Sequence, residues 1–233
     1  MIQSGDITIY LFRHGKVDGH NGDVPLSDDA QADIDRAGSF VAAHTPDGET
    51  ILLLATKTVR SHDTAKRLGE MIKAQNPTLT IEGVHDEYAV RNPDLYLAGH
   101  RVEMVSNGKA MSRQLPEGTI SGDAIEKLPF FGDFFRAPDR IGHWLVHDNP
   151  PGENATAVAR RLLNYCRSCA DTSTEKNLSI VAVSHSPVLR AILVAYMGLS
   201  DPGEPNWVEP ITIKLGPNGS TIQFRDIIQP LVV

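Results

Sequence analysis

Cysteine and long apolar runs are both scarce in this sequence. Cys166 and Cys169 are the only cysteines among 233 residues, and they lie three apart in a pattern that predicts a helix. A CxxC pair can be redox-active or half of a metal site, but without a second pair two partly buried helical thiols are expected. No apolar run approaches the roughly 18 residues of a membrane span, and residues 1–6 lack the pattern of a secretory signal. These absences predict a reduced, cytoplasmic protein with no membrane partner.

An excess of basic charge is absent as well. The chain has 22 Lys and Arg against 29 Asp and Glu, a formal net charge of −7, so it lacks the basic footprint of a nucleic-acid-binding protein. An anionic ligand would have to be held by local charge against a repulsive background, which favours a small, closed pocket. With 41% hydrophobic and 22% charged residues the composition is ordinary for a globular protein, and 233 residues suit one α/β domain with a sizeable insertion.

A predicted strand that ends in two basic residues organises the sequence. Residues 7–12 are apolar or β-branched without a break, and Arg13, His14 and Gly15 follow directly. In open α/β sheets ligands bind beyond the carboxyl ends of strands, so cationic side chains at this point indicate an anion site. Gly15 permits a sharp turn beside the imidazole. Taken alone, the tripeptide is equally compatible with surface residues where a strand meets water.

Three more buried strands are predicted over residues 51–55, 79–84 and 178–184. Polar side chains follow each of them. Arg60 falls in the first turn of a helix after the second strand, where a cation is mildly disfavoured unless it shares a bound anion. Asp86 and Glu87 follow the third strand as candidate proton donors, and His185 follows the fourth, with Pro187 in the first turn of the next helix. Each of these side chains is also compatible with an ordinary solvated position.

Residues 89–149 break this pattern. Turn signals alternate there with aromatic residues, which predicts an insertion of short helices that packs over the end of the sheet as a lid or wall. His143 and His147 have the i, i+4 spacing of a zinc pair, but Trp144 stands in place of a metalloprotease glutamate, and no third ligand is evident. Ordinary helix packing is therefore the better interpretation, and no metal is predicted.

The remaining segments complete an alternating pattern of strands and helices. Ser27 is the predicted N-cap of a helix that ends at Pro46. Another helix, which contains both cysteines, is predicted before the fourth strand. Residues 211–215 and 221–227 flank a Gly-Pro-Asn-Gly segment and predict a terminal hairpin.

Four separated features make the chain resemble the histidine phosphatase superfamily, the phosphoglycerate mutase-like group (branch 1). In chain order they are the nucleophile motif Arg13-His14-Gly15, the second-arginine segment 56–65, the acid Glu87 and the second histidine His185. They span nearly the full length in the family's order. The resemblance implies a three-layer α/β/α sandwich with a mixed, mostly parallel central sheet, formed by residues 1–233 as a single domain with residues 89–149 over the active site.

The resemblance also implies a role for each of these residues. Arg13 and Arg60 would clamp the phosphoryl oxygens, because guanidinium groups bind them bidentately. His14 would be the nucleophile, with a neutral ring nitrogen in line with the leaving oxygen. His185 would hydrogen-bond the same oxygens, and Glu87 would protonate the leaving alkoxide and then deprotonate water. No metal or other cofactor is implied, since the arginines supply the positive charge.

The sequence departs from the family pattern at its outer positions. Many members have an asparagine six residues past the nucleophile, where this chain has His20, with Asn21 one later. Ser186 stands where glycine often follows the second histidine. We expect His20, Asn21 and Ser186 to bind substrate, and Asp86 is the alternative proton donor.

Three activities follow from the resemblance. The first is a metal-independent phosphomonoesterase that hydrolyses a small-molecule phosphate ester through phosphohistidine. The alternative is a phosphoglycerate mutase-type phosphotransferase, which is less favoured because the segment after Glu87 is not Tyr-Gly-rich and because Arg113 and Arg136 are isolated. A phosphate-binding protein without turnover is the third. The sequence leaves the oligomeric state open, with a homodimer as one alternative.

Overall fold

The computed structural model describes residues 6–19, 22–172, 178–198 and 200–231. The strands are, in chain order, β1 Ile7–Arg13, β2 Thr50–Ala55, β3 Thr80–Asp86, β4 Leu95–Leu97, β5 His100–Val102, β6 Leu178–Ser184, β7 Pro210–Leu215, β8 Thr221–Phe224 and β9 Ile227–Pro230. The helices are α1 Gln31–His44, α2 Val59–Gln75, α3 Gly108–Ser112, α4 Gly122–Ile125, α5 Pro129–Arg136, α6 Arg140–Leu145, α7 Ala155–Thr172 and α8 Ser186–Met197.

The central sheet has the order β3-β2-β6-β1-β7-β8-β9. Strands β3, β2, β6 and β1 are parallel to one another. Strands β7, β8 and β9 then follow, each antiparallel to the strand before it in the sheet, so that β8 points in the same direction as β1. The sheet is therefore mixed and mostly parallel, as predicted. The register sets Arg13 opposite Ser184, and Ala55 opposite both Val183 and Asp86. The carboxyl ends of the parallel strands consequently form one edge.

Helices cover both faces of the sheet, and β1 is therefore buried on both sides. Its residues alternate between two cores: Ile9 and Leu11 pack with α7 and α8, and Tyr10 and Phe12 pack with α1 and α2. A strand buried on both faces reads as a continuous apolar run, which explains why residues 7–12 show no polar alternation. The predicted three-layer α/β/α architecture is confirmed.

Several predicted boundaries differ from the structure. The final hairpin continues into a third strand, because Arg225 adopts a φ of 53° in a turn that pairs Phe224 with Ile227. Ser27 does not cap a helix with its side chain: its hydroxyl donates to Asp29, and a 3₁₀ turn over Asp28–Ala30 precedes α1.

The segment 89–149 contains α3 to α6, as short helices were predicted, and also the β4–β5 hairpin, which was not. Trp144 is fully buried, and its indole N–H donates to the Glu153 carbonyl at 2.9 Å. Cys166 and Cys169 are free thiols in α7, and burial raises the pKa of Cys166 to about 12. Within the described ranges, no helix combines the length and apolar character that a membrane crossing requires.

Candidate active site

The ends of β1 and β6 bring two histidines together. The His14 amide donates to the carbonyl of Ser184, the last residue of β6, at 3.0 Å, which extends the parallel pairing one residue beyond β1. The imidazole rings of His14 and His185 then lie with centroids 5.4 Å apart and planes at 66°. Both residues are nearly inaccessible to solvent, at 3% and 4% relative exposure. Two residues that are far apart in sequence thus share one small, buried space.

Hydrogen bonds define the protonation state of the His14 ring. Its Nδ1 lies 2.8 Å from the Gly15 carbonyl oxygen, and its Nε2 lies 3.2 Å from Nε of Arg60. A carbonyl oxygen can only accept and a guanidinium N–H can only donate, so both contacts are satisfied by a neutral ring with the proton on Nδ1. This arrangement leaves Nε2 as the basic nitrogen, next to a guanidinium.

Arg60 reaches this histidine from the first turn of α2. The helix start is held against Gly15, whose amide donates to the Thr64 hydroxyl at 2.9 Å. The Arg60 side chain is 11% exposed, and its Nη1 lies 3.6 Å from the Asp23 carboxylate. Burial lowers the pKa of Arg60 from its usual value, while Asp23 and Glu103 act in the opposite direction. A guanidinium remains protonated after such a shift, so the site contains a desolvated cation.

Arg13, the residue before His14, supplies a second cation, and it is buried. Its Nη1 donates to the Pro205 carbonyl at 2.9 Å and lies 3.1 Å from the Glu204 carboxylate. The guanidinium carbon stacks 3.6 Å above the Trp207 ring, which is itself 5.4 Å from the His14 ring. Burial lowers the pKa of Arg13, and Glu204 opposes that shift. Its Nε is buried without a hydrogen-bond partner among the described residues.

His185 is held by a chain of hydroxyl groups that follows β2. Its Nε2 lies 3.0 Å from the Thr56 hydroxyl, which in turn lies 3.0 Å from the hydroxyl of Thr58. Thr58 donates to Ser61 at 3.0 Å. His185 occupies the N-cap position of α8, and Ser186 begins that helix. The Ser186 hydroxyl is buried and makes no hydrogen bond within the described part of the chain.

Glu87 lies at the same end of the sheet as the two histidines, but its strand is farther from His14. It follows β3, which is separated from β1 by β2 and β6, a distance of about 14 Å at ordinary strand spacing. The chain then turns back toward β6. The Glu87 carboxylate accepts from the Ala89 amide at 2.8 Å, and the Val90 carbonyl accepts from the Ser184 hydroxyl at 2.5 Å. Glu87 therefore begins a segment that returns toward the two histidines.

The surroundings of Glu87 differ from those of Asp86. Glu87 is half-buried next to α7, whereas Asp86 is exposed on the edge strand. Burial raises the pKa of Tyr165 in α7, with Cys169 and Glu87 adding to the shift. The phenol is consequently protonated beside the Glu87 carboxylate.

Two further pairs of residues that the sequence singled out are the substrate-binding candidates of the first loop and the histidines with zinc-pair spacing, for which ordinary helix packing was predicted. His20 and Asn21, the predicted substrate-binding residues of the first loop, lie outside the described residues. His143 and His147 have ring centroids 5.9 Å apart, and the Phe130 ring contacts both. No group of three or more His, Cys, Asp or Glu in the described ranges is arranged to hold a metal ion.

Sequence reasoning missed several residues that touch the site. Asp23 accepts from the Val59 amide at 2.9 Å and so caps α2 next to Arg60. Its place in a loop rich in Gly and Asp gives no signal for that role. Glu204 and Trp207 hold Arg13 from a segment without periodic pattern, more than 190 residues later in the chain. Thr56 belongs to the second-arginine segment 56–65, but its contact with His185 was not predicted.

This constellation can bind an oxyanion and can transfer a group to a ring nitrogen. The guanidinium of Arg60 contacts the imidazole of His14, the buried Arg13 precedes it in the chain, and α8 begins directly after His185 at the same end of the sheet. A phosphoryl group matches this pattern, since its charge resides on several oxygens around one electrophilic atom.

Comparison with known proteins finds one matching family model. The family model "Histidine phosphatase superfamily (branch 1)" matches residues 122–208, a range that includes His185 and Trp207 but not the Arg13-His14-Gly15 motif. No curated protein matches the chain by sequence.

Solved structures share the fold over nearly the whole chain. A structure named mycobacterial hydrolase 1 is 17% identical, covers 97% of each chain and has a TM-score of 0.56. Phosphoglycerate mutase from Bacillus anthracis is 12% identical, with 96% of this chain and 94% of that one covered and a TM-score of 0.58. A mycobacterial glucosyl-3-phosphoglycerate phosphatase is 16% identical over 90% of each chain, with a TM-score of 0.52. The chain therefore has the phosphoglycerate mutase-like fold, and its resemblance to the histidine phosphatase superfamily, branch 1, is confirmed.

Proposed function

We propose that this protein is a phosphomonoesterase that hydrolyses a small-molecule phosphate ester through a phosphohistidine at His14. The observation that carries this proposal is the pair of contacts at the His14 ring, whose Nδ1 lies 2.8 Å from the Gly15 carbonyl oxygen and whose Nε2 lies 3.2 Å from Nε of Arg60. A nucleophilic nitrogen needs an available electron pair. A hydrogen-bonded Nδ1–H keeps that pair on the nitrogen that faces the cation.

Substrate binding depends on local charge that overcomes the charge of the whole chain. The net charge of −7 repels a phosphate dianion, but Arg13 and Arg60 are buried at the site, where electrostatic attraction is stronger than in water. The partnerless Nε of Arg13 and the Ser186 hydroxyl are donors suited to phosphoryl oxygens. His185 would add a further donor from the adjacent strand end.

In the first chemical step, Nε2 of His14 forms a bond to phosphorus as the ester P–O bond breaks. Glu87 transfers its proton to the leaving alkoxide, and the arginines stabilise the charge on the three remaining oxygens. In the second step Glu87 takes a proton from water, whose oxygen attacks phosphorus while the P–N bond breaks. Inorganic phosphate and neutral His14 are the products, and no redox partner is needed.

Residues 89–149 are proposed to shape the pocket for the organic part of the substrate. Glu103 lies in this insertion, and its charge, like that of Asp23, raises the pKa of Arg60, which supports a position of the insertion near the phosphoryl site. Related folds include both a phosphatase and a mutase, and the insertion is the region expected to distinguish them.

Hydrolysis of p-nitrophenyl phosphate without added metal tests the proposal, with His14→Ala and His44→Ala compared with wild type. His44 is an exposed residue that ends α1, about 20 Å along that helix from its start. We expect activity in wild type and His44→Ala and none in His14→Ala. Exchange between 2- and 3-phosphoglycerate would support a mutase instead. Phosphate binding without turnover or protein labelling would support a non-catalytic protein.

A further inference from the structure

Arg190 carries a buried charge that the proposed mechanism does not use. It lies in α8, one turn beyond His185, and its side chain is completely inaccessible to solvent. Buried guanidinium groups are costly unless they are fully paired. The groups that pair with Arg190 therefore indicate which parts of the fold depend on it.

Three carboxylates surround Arg190, and two of them belong to one segment. Asp201 accepts from its Nε at 2.8 Å and also from its Nη2. Glu204 lies 3.4 Å from its Nη1. The third carboxylate is Asp139, at the N-cap of α6, whose Oδ1 accepts from Arg190 Nη1 at 3.0 Å. Arg190 thus fixes segment 201–207 against α8.

The same segment supplies every described partner of the Arg13 guanidinium. Glu204 uses its second oxygen on Nη1 of Arg13, the Pro205 carbonyl accepts from that same nitrogen, and Trp207 lies beneath the guanidinium plane. These contacts fix the plane and occupy Nη1. The two nitrogens that remain, Nε and Nη2, form the fork that binds two oxygens of a phosphate.

We infer that Arg190 is a positioning residue: through Asp201 and Glu204 it holds segment 201–207 so that Nε and Nη2 of Arg13 face the phosphoryl group. This inference rests on the proposed function only in taking a phosphoryl group as the ligand of Arg13. Arg190 itself does not touch the substrate.

Because Glu204 contacts both Arg190 and Arg13, it could either position Arg13 or compete with phosphate for it, and the two roles predict different results. If Glu204 merely competes with phosphate for Arg13, then Glu204→Gln should bind phosphate more tightly. If it positions Arg13, the same substitution should weaken binding, since the amide removes the charged partner without changing the size of the side chain. Glu204 is half-exposed, so Glu204→Gln is expected to fold even where an Arg190 variant does not.

The experiment measures inorganic phosphate binding by calorimetry, together with KM and kcat for p-nitrophenyl phosphate. The variants are Glu204→Gln, Arg190→Lys and the double variant, and the control is Asp33→Asn, which removes one carboxylate from an Arg36 pair on the surface of α1. We expect about tenfold weaker phosphate binding and a raised KM in each single variant, no further loss in the double variant, and wild-type values in the control.

Unchanged or tighter phosphate binding in Glu204→Gln would overturn the inference, and so would multiplicative losses in the double variant. A merely structural role predicts a lower kcat from less folded enzyme, with an unchanged phosphate dissociation constant. Wild-type protein that binds phosphate but shows neither turnover nor labelling would refute the proposed function alone, and the binding comparison would still decide the role of Arg190. Wild-type protein that binds no phosphate would refute both.

Discussion

Replacing Arg60 separates the chemistry of the site from the stability of the fold. Its side chain is 11% exposed, its Nε lies 3.2 Å from Nε2 of His14, and Asp23, its ion-pair partner among the described residues, is 46% exposed. A preorganised donor to developing charge contributes about 3–4 kcal/mol to transition-state stabilisation. Arg60→Ala should therefore lower kcat/KM by roughly 10²- to 10³-fold. The ion pair with the half-exposed Asp23 is long, at 3.6 Å, so its loss should change the free energy of unfolding by less than about 1 kcal/mol.

Arg60→Lys should fall between these limits, because an ammonium group keeps the charge but cannot bind two oxygens in the fork geometry. The matched control is Arg67→Ala, an arginine two turns later in the same helix, whose Nη1 donates to Gln31 at 3.2 Å. Steady-state hydrolysis and urea unfolding are measured for all three variants. Activity of Arg60→Ala within threefold of wild type would refute the assigned role, and so would an equal loss in Arg67→Ala.

Two further predictions concern carboxylates. Hydrogen bonds from Arg91 and Arg101 outweigh the effect of burial and lower the pKa of Asp94 to about 2, below its unfolded value near 4. Asp94 therefore stabilises the fold above pH 4, and this contribution of about 2 kcal/mol is lost as pH falls to 2. The difference in unfolding free energy between wild type and Asp94→Asn should shrink over the same pH range. A difference that does not change with pH would contradict this prediction. Glu87→Gln should slow an alkyl phosphate 10²-fold or more but p-nitrophenyl phosphate much less, since nitrophenolate leaves without a proton; equal effects on both substrates, or a comparable loss in Asp86→Asn, would argue against Glu87 as the acid.

The edge of the sheet that carries the site could be predicted because burial on both faces leaves a clear sequence pattern. Residues 7–12 and 178–184 are largely apolar runs of strand length, and a histidine follows each run within two residues. Parallel pairing then places His14 next to His185 without any information on side-chain contacts. For this reason the proximity of the two histidines could be predicted. The two candidate proton donors, Asp86 and Glu87, lie at the end of the edge strand β3, and the sequence did not decide between them.

The groups that hold the cations could not be predicted in this way. Arg13 is fixed by Glu204, Pro205 and Trp207, which belong to an irregular segment with no periodicity to indicate which way its side chains point. The β4 and β5 strands have three residues each, too few for an alternating pattern to be recognised. The break between β8 and β9 depends on a left-handed Arg225, a conformation that the residue type does not suggest.

The central claim is that His14 accepts the phosphoryl group on Nε2. The direct measurement is ³¹P NMR and mass spectrometry of enzyme mixed with substrate and quenched in alkali, where phosphohistidine survives. We predict one phosphorylated residue, His14, modified at Nε2, because Nδ1 lies within hydrogen-bond distance of the Gly15 carbonyl oxygen, at 2.8 Å. A label on Nδ1, a label on another residue, or turnover with no phosphohistidine would contradict the account.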